Sequence, residues 1–87
     1  MTIYLASSFV RAYKKIIRKN PILEKTIKKK IRIFKENPSS PALALHKLTG
    51  SLHETWSFSV EEDLRILFTY AKDGVILVDI GKHGDIY

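Results

Sequence analysis

Four side chains in the second half of the chain have the chemistry to move a proton or hold an anion. His83 lies in Gly81-Lys82-His83-Gly84, where the glycines put little bulk in the way of a ligand, and an imidazole can give or take a proton near neutral pH. His46 is followed by Lys47, whose charge favours an anionic ligand at the same place. Arg65 interrupts the apolar run Leu64-Arg65-Ile66-Leu67-Phe68, on the face opposite Ile66, Phe68 and Tyr70. A cation placed there calls for an anionic partner, either a cross-strand acid such as Asp79 or a ligand. Asp63 closes Glu61-Glu62-Asp63, which reads both as an acid–base carboxylate and as a plain solvated turn. His53 has no such context and reads as surface.

Other chemistry is narrowed by composition. With no cysteine there is neither a disulfide framework nor a thiolate zinc site, and three dispersed histidines lack a metal-binding spacing. No metal and no cofactor are expected. The opening Met-Thr-Ile-Tyr-Leu does not look like a signal peptide, and no apolar run approaches the roughly 18 residues of a membrane span. A cytoplasmic location is the resulting expectation.

Charge is unevenly placed. Residues 1–45 carry 11 Lys or Arg against 2 Glu, and residues 46–87 carry 4 against 7 Asp or Glu, within a net charge of +6. Clustered cations attract polyphosphates by releasing condensed counterions, so RNA, DNA or an acidic protein would each fit.

The elements that must position these residues follow from periodicity. The 87 residues, 45% hydrophobic and 28% charged, suit one folded domain, 1–87. Residues 2–7 read as a short strand, with Ser7 or Ser8 free to cap a helix. Over 8–19, Phe9, Ala12, Tyr13, Ile16 and Ile17 share one helical face and Arg11, Lys14, Lys15 and Arg18 the other. Asn20-Pro21 supplies a side-chain cap and a first-turn proline for a second helix to about 35–37, striped by Leu23, Ile27, Ile31 and Phe34. Lys30 falls at the stripe's edge, its stem on the core and its ammonium reaching out. Pro38-Ser39-Ser40-Pro41 is a loop. From Leu52 the period becomes two, with Trp56, Phe58 and Val60 inward and Thr55, Ser57 and Ser59 outward. After the turn at Glu61-Glu62-Asp63, strands run over 64–71 and 75–80, joined through Lys72-Asp73-Gly74. The order β-α-α-β-β-β makes an α+β domain, two N-terminal helices packed on one mainly antiparallel sheet that the first strand must join.

On His46-Lys47-Leu48-Thr49-Gly50, Trp56-Ser57-Phe58, Asp63-Leu64-Arg65-Ile66-Leu67-Phe68 and Asp79-Ile80-Gly81-Lys82-His83-Gly84-Asp85-Ile86-Tyr87, the chain resembles the RelE/ParE superfamily of toxin–antitoxin toxins, and more closely its RelE and YafQ branch. The motifs are short, and their combined order over nearly the whole chain carries the likeness. The resemblance implies an endoribonuclease that cuts mRNA on the ribosome and is neutralised by a cognate acidic antitoxin. Such cleavage without metal needs a base for the 2′-hydroxyl, an acid for the leaving 5′-oxygen and a cation on the phosphate. By the resemblance His83 is the general acid, His46 or Asp63 the base, Arg65 the phosphate contact, and Tyr87 an aromatic that stacks on a base. Trp56 and Phe58 belong to the core. Where YafQ-like proteins tend to have a further histidine, this chain has Ser59. Lys14, Lys15, Arg18, Lys25, Lys28 and Lys29 on the helices, with Lys47 and Lys82, are assigned to RNA backbone, a solvated helix face being the ordinary alternative. Competing readings are a ParE-like gyrase inhibitor and an inactive member that only binds antitoxin or nucleic acid.

Overall fold

The computed structural model describes residues 1–48, 54–82 and 86. Strand β1 (Thr2–Leu5) leads into helix α1 (Ser7–Lys19) and helix α2 (Leu23–Glu36). A 3₁₀ turn, Pro41–Leu43, precedes a two-residue strand β2 (His46–Lys47). Strands β3 (Trp56–Glu61), β4 (Leu64–Ala71) and β5 (Gly74–Lys82) complete one sheet of order β1-β5-β4-β3-β2. Only the β1–β5 pair is parallel; the other pairs are antiparallel.

The helices cover one face of the sheet. Phe34 of α2 stacks on Phe58 at 4.4 Å between ring centroids and tilts against Phe68 at 4.8 Å. Phe9, Ile27, Leu43, Ile66 and Leu77 close the same buried cluster. Alternation alone cannot bring Val75, Leu77 and Ile80 all inward, because 80 has the other parity. A bulge resolves this: Leu67 pairs with Asp79 and Phe68 with Leu77, so Val78 is the extra residue and the strand changes face there. Downstream of the bulge, Asp79 and Gly81 lie on the face away from the helices.

Local details depart from expectation at the helix starts. Neither Ser7 nor Ser8 caps α1; Ala6 is the N-cap, and Ser8 Oγ donates to the Val78 carbonyl at the bulge, 2.6 Å away. Asn20 supplies its main-chain carbonyl to Leu23 N–H rather than a side-chain cap, so Pro21 sits in a turn and α2 begins at Leu23. Gly74 is required where β5 starts beside β1: a Cβ would run into the Thr2 carbonyl. No helix among the described residues is long and apolar enough to cross a membrane.

Candidate active site

The side of the sheet away from the helices is built from β2, β3, β4 and β5. The register sets His46 beside Ser57, Ser57 beside Leu67 and Leu67 beside Asp79; one step along, Ser59, Arg65 and Gly81 align. Arg65 therefore projects from the second position of β4, paired on both sides by Ser59 and Gly81. Its Nε donates to Ser57 Oγ at 3.0 Å, its Nη2 donates to the Ala44 carbonyl at 2.8 Å, and Nη2 lies 3.1 Å from His46 Nδ1.

The cross-strand acid that could have neutralised Arg65 is not its partner. Asp79 stands opposite Leu67, and its Oδ1 accepts the Ile80 N–H at 2.8 Å. Among the described residues the one ion pair within 4 Å is Lys28–Glu24, so Arg65 has no carboxylate partner there. Ser57, expected to face solvent, is 0% exposed; it pairs with His46 of β2 and its Oγ accepts from Arg65.

His46 lies ahead of the strand expected from Leu52 and itself pairs in the short strand β2. Its approach is set by the chain just before it. Ser40 Oγ accepts the Ala42 N–H across Pro41, Leu43 is anchored in the core at 0% exposure, and Ala44 takes the left-handed conformation at φ 45°, ψ 49°. Two cations hold this stretch: Lys30 Nζ donates to the Ala42 carbonyl at 3.0 Å, and Arg65 holds that of Ala44. Lys30 is half-buried, and its ammonium, expected to reach out, has a main-chain partner.

The other candidates divide by location. Asp63 is exposed in the β3–β4 turn, and Lys47 and Lys82 are exposed at the ends of their strands. His83 and Tyr87 lie outside the described residues, as does His53. Lys14, Lys15, Arg18, Lys25, Lys28 and Lys29 are exposed on the helices, which cover the face of the sheet that Arg65 leaves. The structure joins His46 to Arg65 and separates both from the helix cations. Ser57, Ala44 and Lys30 complete the arrangement unforeseen; alternation placed Ser57 on the Arg65 face, but nothing in the chain signals the backbone of Ala44.

Two depressions flank the helices, and neither touches His46 or Arg65. One, about 650 Å³, lies between β1 and the helices over Ile3, Leu5, Phe9 and Val10, with Lys14, Lys28 and Lys35 around it. The other, about 530 Å³, has Leu23, Leu64 and Ile80 in its walls and Lys15, Lys19 and Lys82 at its rim. Two phenols have shifted acidity. Burial, then the hydrogen bond to Glu24, pushes the Tyr13 phenol up, and Tyr4 is raised by its hydrogen bond to Asp73.

No protein-family model and no curated protein matches the chain. Solved structures do. A copper-bound mutant toxin from Helicobacter pylori superposes with TM-score 0.85 at 19% identity, covering 100% of this chain and 99% of that one. YafQ from E. coli gives 0.83 at 16% over 99% and 97%, and in the E. coli DinJ–YafQ toxin–antitoxin complex 0.81 at 16% over 99% and 96%. A YoeB/ParE toxin from Agrobacterium tumefaciens gives 0.76 at 18% over 95% and 99%. The chain has the fold of the RelE-like toxins.

Proposed function

We propose that the chain is the toxin of a type II toxin–antitoxin pair and acts as a ribosome-dependent endoribonuclease on mRNA. The observation that carries the reading is the juxtaposition of Arg65 with His46 on the sheet face away from the helices, with no carboxylate partner for the guanidinium among the described residues. A guanidinium held by neutral acceptors keeps its full charge available to a phosphate.

In this reading the 2′-oxygen attacks the adjacent phosphorus and passes its proton to a base, His46 or Asp63. The P–O5′ bond breaks, His83 protonates the leaving oxygen, and Arg65 stabilises the charge that grows on the phosphate. Tyr87 stacks on a neighbouring base. The products are a 2′,3′-cyclic phosphate and a 5′-hydroxyl. The helix cations hold RNA backbone on the ribosome. The neutralising partner is an acidic segment that folds onto the chain; the apolar groove beside β1, rimmed by Lys14, Lys28 and Lys35, has the chemistry to receive it.

The test is cleavage of mRNA on programmed ribosomes by the purified chain, with the new ends mapped. Cuts bearing cyclic phosphate and 5′-hydroxyl ends are expected. Intact mRNA together with inhibition of gyrase supercoiling would replace this reading.

A further inference from the structure

The geometry points to a fixed division of labour between the two imidazole nitrogens of His46: Arg65 holds Nδ1 as an acceptor, the proton sits on Nε2, and His46 meets the phosphate as a hydrogen-bond donor rather than as the base. The tautomer stands on geometry alone, and its consequence for catalysis rests on the endoribonuclease reading above.

Arginine has five N–H groups and no acceptor. Any bond between Arg65 Nη2 and His46 Nδ1, 3.1 Å apart, therefore requires a bare lone pair on Nδ1. The competing arrangement would put a proton on Nδ1 and aim it at the Ala44 carbonyl. That contact is 3.4 Å and weakly bonding, and the same oxygen already accepts Nη2 at 2.8 Å. The two arrangements exclude each other, because Nδ1 cannot donate and accept at once. A neutral ring with Nδ1 occupied as acceptor carries its proton on Nε2.

Arg65 can impose this because it is itself held. Ser57 Oγ, at 0% exposure, takes Nε, and the Ala44 carbonyl takes one N–H of Nη2. The second N–H of Nη2 is left for the imidazole. Ala44 turns its carbonyl in through a left-handed backbone that alanine adopts only at a cost. Ser57 and Ala44 are thus positioning residues. The two N–H groups of Nη1 have no partner among the described residues and remain for a phosphate oxygen. Nη1 of Arg65 and Nε2–H of His46 then form two donors to one phosphate, and accepting the 2′-hydroxyl proton falls to Asp63.

Two measurements test this. In the free protein at about pH 8, above the range where a free imidazole titrates, long-range proton–nitrogen NMR of His46 should show protonated Nε2 and bare Nδ1. Ser57→Ala, nearly isosteric, should move the ring toward a mixture of tautomers, and Arg65→Ala should move it further. A wild-type ring protonated on Nδ1, or already averaged between tautomers, overturns the inference. The second measurement is single-turnover cleavage on ribosomes. The glutamine amide nitrogen mimics Nε2–H and provides no base, so His46→Gln should cleave at least about ten-fold faster than His46→Ala, with general-base loss otherwise costing on the order of 10²–10⁴. Equal slowness of both variants, with active wild type, would return His46 to the role of base. If the wild type itself does not cut, the endoribonuclease reading fails and with it the phosphate role, while the NMR result still decides the tautomer.

Discussion

On the helical side of the sheet, cations stand on long exposed stems with few fixed partners, whereas on the opposite side a single guanidinium is held from a rigid strand. Lys14, Lys15, Lys25 and Lys29 are exposed along α1 and α2, and Lys28 meets Glu24 at 3.8 Å. Such ammoniums add their charge to a diffuse field and tolerate many arrangements of phosphate. Arg65 has Nε and Nη2 committed to Ser57, Ala44 and His46, so its remaining donors point in one direction. A diffuse field supplies affinity; a fixed donor can favour the particular geometry of a transition state. Substitutions on the two faces should therefore fail in different ways.

The largest effect is expected at His83. His83→Gln keeps a polar side chain and removes the proton donor, so single-turnover cleavage should fall on the order of 10²–10⁴-fold and growth inhibition with it. A near wild-type rate would remove the general acid from the scheme. Arg65→Ala comes next, with a loss of about 10²–10³ in rate and a much smaller change in ribosome affinity. Circular dichroism and retained partner binding would show that the variant is folded. If it is not, Arg65 is a structural residue and the contrast between the faces collapses.

On the helical face the pattern should invert. Reversing Lys28 and Lys29 together to Glu should weaken ribosome association and flatten its salt dependence by roughly one unit of slope for each phosphate that is no longer neutralised, while cleavage by the ribosome-bound chain is preserved. Unchanged binding across a salt series would move the RNA-binding surface off α2. Leu5, 55% exposed beside the β1 groove, is expected to matter for the partner instead. Leu5→Asp should loosen the complex with the proposed antitoxin by about ten-fold, roughly 1.4 kcal/mol, and leave cleavage alone; undiminished affinity in calorimetry would place the partner elsewhere.

The smallest effect belongs to Tyr13, which ties α1 to α2 through Glu24. Tyr13→Phe should cost less than about 1 kcal/mol, the net worth of one partly exposed hydrogen bond. The phenol is raised in the fold, so its contribution is complete below the ordinary phenol range near 10 and disappears as pH rises through the elevated value. Urea melts of wild type and variant should therefore converge at alkaline pH, and a gap that widened instead would reverse the sign.

Much of the framework was legible because hydrophobic period and turn chemistry are local properties. Phe9, Ala12, Tyr13 and Ile16 mark α1, Phe58 and Val60 mark β3, and Asp73-Gly74 marks the final hairpin; each element stands where those residues put it. Helix starts were less legible, since Ser8 found a better partner in the Val78 carbonyl, 70 residues away, than at its own helix end. The types of the candidate residues were readable too, for Arg65 in an apolar strand declares an unmet charge. Its actual partners were not readable. The Val78 bulge sets the β4–β5 register that stands Gly81, not Asp79, opposite Arg65. The left-handed turn at Ala44 and the pairing of His46 with Ser57 depend on segments far apart in the chain. Chemistry is carried by residue type, which the amino-acid order determines alone; the choice of partner, and so the tautomer of His46, depends on register and backbone direction, which only the packed sheet decides.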